Sequence, residues 1–185
     1  ETFMQDLSWI ADLKLRGSWG VTGNNNIGNY TSLSTMNAAN YILGNSFASG
    51  QVLGAFANAD LGWEQSNQVN VGMDLALLEN RLIFTAEYYK KITNDMLLPI
   101  EIPAISGFQT TFSNIGKVEN KGIEFALGYR TSFGDLNVRA DFNIAFNRNK
   151  VLEILGENDE IRNGGFYSTY NVSVPGRPIG MLHGF

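Results

Sequence analysis

The sequence lacks cysteine and has a single histidine, His183, and both shortages exclude chemistry. Disulfide frameworks, cysteine metal sites and thiol nucleophiles are ruled out, and one histidine cannot form a histidine metal cluster. Charged residues make up 17% of the 185 residues, and the net charge of -5 with scattered lysine and arginine leaves no basic face for nucleic acid. No apolar run is long enough for a membrane-spanning helix.

Turn-forming and aromatic residues are abundant, with 20 glycines, 12 phenylalanines and 7 tyrosines, which favours an all-β protein. Apolar and polar side chains alternate twice within residues 68–91, and again over 12–21, 122–130 and 136–147. Because successive side chains of a strand point to opposite faces, each run predicts a strand with one apolar face. No segment keeps a helical period beyond two turns. We therefore expect five antiparallel strands.

The connections between these strands alternate in length. Residues 78–81 and 131–135 are short enough for hairpin turns, whereas residues 22–62, residues 95–113 and the part after residue 150 are long and rich in breakers. In an up-and-down meander this alternation puts every long loop at one end of the sheet. Transmembrane barrels have this arrangement, with short periplasmic turns and long extracellular loops.

The length of the alternating runs favours a membrane barrel over a soluble sheet. Each run lasts about nine to twelve residues, close to the ~9 to 11 that a tilted strand needs to cross the hydrocarbon layer. The predicted lipid-facing residues are Leu13, Leu15, Val71, Leu75, Phe84, Phe125, Leu127, Val138 and Phe142. The predicted lumenal residues are Arg16, Asp74, Glu87, Glu124 and Arg139. A soluble or surface-anchored β-sandwich, such as a carbohydrate-binding module, and a passive porin or adhesin barrel are the alternatives, because alternation alone does not say which face meets water.

Four stretches of the chain resemble, in order, segments of the SusC/RagA-type TonB-linked outer-membrane transporters of Bacteroidetes. These stretches are "LKLRGSWGVTGNNNIGNY" (13–30), residues 61–98, residues 102–129 and "GRPIGMLHGF" (176–185). The resemblance implies a large antiparallel barrel of about 22 strands filled by an amino-terminal plug domain. On this interpretation residues 1–185 are a carboxy-terminal part of the barrel wall, without the plug and without the final strands.

The resemblance also implies a function and partners. The expected function is TonB-dependent active import of nutrients, either glycan oligosaccharides or peptides, across the outer membrane of a Gram-negative cell. The expected partners are a SusD-like surface lipoprotein, TonB through the plug region, membrane lipid and the substrate, with no nucleic acid. The loops 22–62, 95–113 and 150–180 would form the extracellular vestibule. No enzyme activity and no cofactor are expected.

Individual residues give weaker predictions, and none is assigned a catalytic, cofactor-binding, metal-binding or substrate-binding role. Asp74 and Glu87 could form a carboxylate pair for glycoside hydrolysis, but nothing near them resembles an acid/base signature. The loop acids Glu157, Asp159 and Glu160 do not fit the spacing of an EF-hand, so whether calcium binds there stays open. Trp63 is expected to pack at the rim of the barrel. Four residues are expected to be polar strand-entry residues at the loop end, namely Lys117, Glu119, Asn120 and Lys121.

Overall fold

A computed structural model describes residues 9–154, 160–163 and 170–183. Within these ranges the structure is built from antiparallel strands and one short 3-10 helix, Ala104–Ser106. No helix in the described ranges is long and apolar enough to cross a membrane. The strands are β1 (Ile10–Asn24), β2 (Met36–Leu43), β3 (Ser46–Leu53), β4 (Glu64–Leu77), β5 (Leu82–Glu101), β6 (Thr110–Phe133), β7 (Leu136–Ile154), β8 (Ile161–Asn163), β9 (Tyr170–Ser173) and β10 (Met181–His183).

The five longest strands form one antiparallel sheet in the order β1-β4-β5-β6-β7. These strands contain all five of the predicted segments, so the predicted meander is confirmed. The strands β2 and β3 form a separate hairpin between β1 and β4, and β8, β9 and β10 form a small third sheet. The main sheet therefore keeps the sequential order of a barrel wall.

Both short turns lie at the same end of the main sheet. The first turn follows β4, where Leu78, Glu79 and Asn80 have φ angles of 52°, 58° and 67°. The second joins β6 to β7 through Gly134, whose φ of 58° falls in the left-handed region that glycine adopts without a steric penalty. Short turns at one end and longer connections at the other match the predicted arrangement.

The predicted loop boundaries were wrong in three places. Residues 22–62 contain the β2–β3 hairpin, and most of residues 95–113 belongs to β5 and β6, which leaves residues 102–109 as the connection. The region after residue 150 contains the end of β7 and the small third sheet. The extension of β5 was hidden by an irregularity between Thr93 and Met96, where Asp95 has a φ of 55°. A bulge of this kind breaks the alternation on which the prediction relied.

The strands are longer than the alternating runs indicated, because β5, β6 and β7 contain 20, 24 and 19 residues. About 9 to 11 residues are enough to cross a bilayer when the strand is tilted. The additional residues of these strands lie at the end of the sheet that carries the long connections. The sheet therefore extends well beyond the thickness of a hydrocarbon layer.

Strand register puts the predicted lipid-facing residues on one face of the main sheet. In one cross-strand row Leu13 pairs with Leu75, Leu75 with Phe84, Phe84 with Leu127 and Leu127 with Phe142. The rings of Phe84 and Phe125 stack on this face with centroids 6.1 Å apart. The face is uncovered in the described part of the chain, where Leu15 is 76% exposed and Phe142 is 61% exposed.

In the described part of the chain, the buried apolar side chains lie at the loop end, where residues 170–183 meet β7. They are Val118, Val151, Ile154 and Val172. The Val151 N–H donates to the Arg177 carbonyl over 2.9 Å, and the Gly176 N–H donates to the Val151 carbonyl over 2.8 Å. The small third sheet is thereby joined to the edge of β7.

Candidate functional site: the polar face and the loop end

An arginine on the polar face of the sheet connects three neighbouring strands. Arg16 on β1 donates from Nε to Asp74 Oδ2 on β4 over 2.8 Å and from Nη2 to Asp74 Oδ1 over 3.2 Å. The same guanidinium lies 3.5 Å from Glu87 Oε2 on β5. Thr85 donates its hydroxyl to Asp74 Oδ1 over 3.1 Å. The predicted lumenal residues Arg16, Asp74 and Glu87 therefore form one network.

The arginine reaches the third strand because residue 72 has no side chain. Gly72 on β4 pairs in register with Arg16 on β1 and with Glu87 on β5. A Cβ atom at this position would lie 3.1 Å from Arg16 Nη2 and 3.2 Å from Cζ. The guanidinium thus occupies the space over Gly72. The two carboxylates that sequence analysis considered as a hydrolytic pair are bridged by a cation instead of facing an open cleft.

Further hydrogen bonds extend the network toward the loop end. Asn70 donates to Ser18 Oγ over 3.1 Å, and Gln68 donates to Asn70 Oδ1 over 2.8 Å. The hydroxyls of Ser66 and Thr93 lie 3.0 Å apart across β4 and β5. Among the described residues no buried side-chain nitrogen or oxygen lacks a hydrogen-bond partner. Many polar side chains of this face bond to one another, so the face can border water without a covering layer.

The remaining predicted lumenal residues lie on the same face. Glu124 on β6 is the register partner of Glu87, and Arg139 on β7 donates to Asp141 Oδ2 over 2.6 Å. Two residues further toward the loop end on β6, the ring of Tyr89 covers Gly122, because a Cβ atom at position 122 would lie 2.8 Å from the tyrosine Cζ and Oη atoms. Aromatic side chains placed across from a strand glycine in this way protect the backbone of the glycine.

An aromatic cavity lies at the loop end, where two connections meet the start of β6. Its volume is about 550 Å³. The rings of Phe56 and Phe108 meet edge to face in its wall at 5.9 Å. Asn58 fixes the first connection by donating to the Phe112 carbonyl over 2.8 Å. Tyr30 and Leu33 complete the apolar lining.

This cavity has no counterpart among the sequence predictions. Phe56 and Phe108 stand in glycine-containing stretches that were predicted as loops, and they are 52 positions apart in the chain. The presence of phenylalanine in segments rich in glycine and other turn-forming residues was the only sequence feature that could have indicated a binding site there. Nothing in the local pattern indicates that the two connections meet, because that contact depends on how far β6 extends.

Trp63 and Glu64 contact neighbouring strands at the beginning of β4. The indole of Trp63 packs beside Gly23, where a Cβ atom would lie 3.1 Å from its Cε3 atom, and the tryptophan is 65% exposed. Glu64 accepts hydrogen bonds from the Asn24 side chain over 2.8 Å and from the Leu97 N–H over 3.0 Å. The structure thus puts Trp63 at the loop-end rim, where it was expected.

The predicted strand-entry residues are placed differently. Glu119 lies inside β6, is 8% exposed, and forms ion pairs with Lys90 at 2.9 Å and Lys121 at 3.0 Å. Strand β6 begins at Thr110, so these residues are well within the strand and the prediction of a strand entry was wrong. Of the four residues, Glu119 and Lys121 form ion pairs in the described part of the chain.

Two of the three loop acids lie in a part of the chain that the structure does not describe. Glu157 and Asp159 lie outside the described residues, and His183 is the last residue of β10. In the described part of the chain no group of three or more histidine, aspartate or glutamate side chains could hold a metal ion.

The observed features define a class of protein. Long antiparallel strands in sequential order, short turns at one end, an uncovered apolar face and a hydrogen-bonded polar face are typical of the wall of a transmembrane β-barrel. Residues 6–178 match the model of the family described as "TonB dependent receptor-like, beta-barrel". The chain belongs to this family of outer-membrane transport proteins, which are not enzymes.

Curated relatives come from Bacteroidetes species, as the resemblance implied. TonB-dependent receptor P3 of Formosa agariphila is 37% identical over 155 residues, which cover 83% of this chain and 16% of the relative. TonB-dependent receptor SusC of Bacteroides thetaiotaomicron is 33% identical over 166 residues, which cover 86% of this chain and 16% of the relative. The chain thus spans about a sixth of the length of these relatives.

Solved structures show the same fold. The RagAB peptide importer in its closed-closed state superimposes with a TM-score of 0.83 at 31% identity, covering 96% of this chain and 19% of the solved chain. The RagAB peptide transporter gives a TM-score of 0.82 at 32% identity. The predicted fold class and the SusC/RagA resemblance are confirmed. The β-sandwich alternative is wrong, because the match is to part of a barrel wall.

Proposed function

We propose that this chain is part of the wall and extracellular loops of a transporter that imports nutrients actively across the outer membrane, driven through TonB. The observation that carries the proposal is the two-faced main sheet, in which Leu13, Leu75, Phe84, Leu127 and Phe142 share one face while Arg16, Asp74 and Glu87 form a network on the other. A wall of this kind separates lipid from a hydrated lumen.

The polar network suits the lining of a wide lumen. Arg16 holds Asp74 and Glu87 at distances of 2.8 and 3.5 Å, so the charges on this part of the wall are largely paired with one another. A lining with paired charges exerts a weaker field on a passing solute than isolated charges do. We infer that this part of the wall lets solutes pass along the lumen, and that the substrate is selected at the loop end.

The aromatic cavity is the proposed contact for substrate. Phenyl faces such as those of Phe56 and Phe108 can cover either the apolar side of a sugar ring or an apolar peptide side chain. Glycan oligosaccharides and peptides therefore both remain proposed substrates. The relationship to the RagAB peptide importer favours testing peptides first, although its substrate is a property of that protein.

The proposed partners follow from the family. A SusD-like surface lipoprotein would close over the vestibule formed by the loop end, and TonB would act through a plug domain. In this proposal residues 1–185 are a partial barrel domain, and the plug and the remaining strands belong to other parts of the full-length protein. The lipoprotein would meet the connections that contain Phe56 and Phe108.

The test uses the full-length transporter in cells. Phe56→Ala combined with Phe108→Ala should reduce uptake of a labelled oligopeptide or oligosaccharide library several-fold per assembled molecule. The matched control is Phe133→Ala combined with Leu136→Ala, a cross-strand pair at the opposite end of the sheet. The control should leave uptake per assembled molecule unchanged. Normal uptake of both libraries by the first variant would contradict the role of the cavity.

A further inference from the structure

A row of cations crosses three neighbouring strands on the apolar face of the main sheet. Lys90 on β5 pairs in register with Lys121 on β6, and Lys121 pairs with Arg148 on β7. They share a face with Phe84, Phe125 and Phe142, from which each is separated by an even number of positions. The three cations are far apart in sequence, so the row is created by strand register.

The row lies at the edge of the apolar band. Every second residue of β7 from Leu136 to Phe146 lies on the apolar face, and all six are apolar. Arg148 is the next residue on that face. These six positions extend over about 33 Å along the strand, or ~25 Å across the bilayer at a tilt of ~40°. That height equals the apolar band of an outer-membrane barrel. Arg148 and its two neighbours therefore lie at the boundary between hydrocarbon and headgroups.

The row faces the outer leaflet. All three cations lie on the side of the band away from the short turns at residues 78–81 and Gly134, toward the long connections. In outer-membrane barrels the short turns are periplasmic and the long loops are extracellular. The cations therefore meet the outer surface of the membrane from the lipid side, where a water-filled lumen cannot reach them.

The local charge is strongly positive even though the chain is acidic overall. Lys150 lies one row further out and pairs in register with Glu119, which is the acidic member of the cluster. Glu119 bridges Lys90 at 2.9 Å and Lys121 at 3.0 Å, whereas Arg148 and Lys150 form no ion pair with any described residue. One carboxylate thus stands among four cations in a chain whose net charge is -5.

We propose that Lys90, Lys121 and Arg148 form a binding site for the phosphate groups of the phosphorylated glycolipid of the outer leaflet. Neighbouring strands lie about 4.8 Å apart, so three cations on consecutive strands present a short positive row along the membrane surface. Glu119 holds two of the ammonium groups in place while Arg148 offers a free guanidinium, which binds phosphate in a bidentate manner.

The surface below the row fits the rest of such a lipid. Tyr88, Ile123 and Phe146 occupy the adjacent apolar row on the same three strands, and all three are exposed. Acyl chains attached to a headgroup at the cations would lie against these side chains. A soluble anion could use the cations but would gain nothing from the apolar row, so the combination points to a lipid.

The experiment measures lipid binding to the full-length protein. The protein is titrated in detergent with lipid A, the phosphorylated anchor of that glycolipid, and bound lipid is counted by native mass spectrometry. The variant Lys90→Gln, Lys121→Gln, Arg148→Gln is compared with Lys14→Gln, Lys91→Gln, Arg130→Gln, which removes the same charge from the opposite face. Removing one cation near an anionic headgroup weakens binding about fivefold, and three weaken it roughly a hundredfold.

The proposal expects that large loss in the first variant and less than a threefold change in the control variant. Dephosphorylated lipid A should bind the parent as weakly as phosphorylated lipid A binds the first variant. If the triple variant fails to assemble, Arg148→Gln alone, compared with Lys91→Gln, should give the fivefold loss. Equal binding by the two variants, or full competition by equimolar inorganic phosphate, would overturn the assignment to a lipid headgroup.

Discussion

Arg16 and Gly72 are direct partners across β1 and β4, and the guanidinium of Arg16 lies in the space that a side chain at position 72 would fill. This relationship lets one cation contact carboxylates on two different strands, Asp74 and Glu87. Without it Glu87 would face Glu124, its register partner on β6, with no cation between β4 and β5 to offset the repulsion.

The first prediction follows from this contact. Gly72→Leu should displace the guanidinium and lower the free energy of unfolding by about 1 kcal/mol, the lower end for overpacking, because the end of an arginine side chain can move. The measurement is the midpoint of thermal unfolding of the full-length barrel in detergent. Gly20→Leu is the control, since Gly20 lies on the same face with no atom within 4 Å of its Cβ position. Equal midpoints for the two variants would contradict the packing argument.

The second prediction contrasts neighbouring residues of β4 that point to opposite faces. Leu75→Arg puts a charge into the lipid and should cost about 2 to 4 kcal/mol near the middle of the bilayer, which lowers the amount of assembled barrel. Ala76→Arg puts the same side chain on the polar face, opposite Asp12, and should assemble nearly as well as the parent. Assembly is measured by heat modifiability in gels. A larger loss of assembled barrel with Ala76→Arg than with Leu75→Arg would contradict this assignment of the two faces.

The third prediction concerns the β2–β3 hairpin. The Gly54 N–H donates to the Thr35 carbonyl over 2.6 Å, so the two ends of the hairpin meet and a short Gly-Asn turn can replace residues 36–53. We expect the shortened protein to assemble at normal abundance, because the hairpin pairs with itself and not with the main sheet. Docking of the lipoprotein or substrate uptake should fall several-fold, as measured by co-purification and by transport per assembled molecule.

Two results would count against this interpretation of the hairpin. Normal docking and normal uptake by the shortened protein would remove the hairpin from the vestibule. Loss of assembled protein would show that the hairpin is needed to build the wall. Replacing Asn45 by serine, which keeps the hairpin length and leaves Gly44 with its φ of 62°, serves as the control and should leave all three measurements unchanged.

Sequence patterns predicted the main sheet because its two faces differ in polarity over many residues. The alternation from Leu82 to Tyr88 stays in step with that from Ile123 to Leu127, and register then fixes every neighbour. The outer ends of β5 and β6 were missed because irregularities between Thr93 and Met96 on β5 and between Lys117 and Val118 on β6 interrupt the pattern. The β2–β3 hairpin was missed because asparagine and alanine on both faces of β2 give it no clear alternation.

For the site residues, too, some features could be predicted from the sequence and others could not. The polar identity of Arg16, Asp74 and Glu87 follows from their positions in the alternation, whereas their contact depends on an arginine lying over Gly72, which no pattern encodes. The Lys90–Glu119–Lys121 cluster similarly depends on the register between β5 and β6. Patterns along one strand predict which face a residue occupies, and contacts between strands need the structure.

In the proposed barrel wall the apolar face of the main sheet meets lipid and the opposite face meets water. Phe142 and Asn143 test it most directly, because they are adjacent on β7, lie at almost the same depth and point to opposite faces. Each is replaced by cysteine in a full-length protein free of other cysteines, and both are labelled in membranes with a lipid-soluble and a water-soluble thiol reagent. We expect Phe142→Cys to react with the lipid-soluble reagent and Asn143→Cys with the water-soluble one, whereas the reverse preference would contradict this orientation of the sheet.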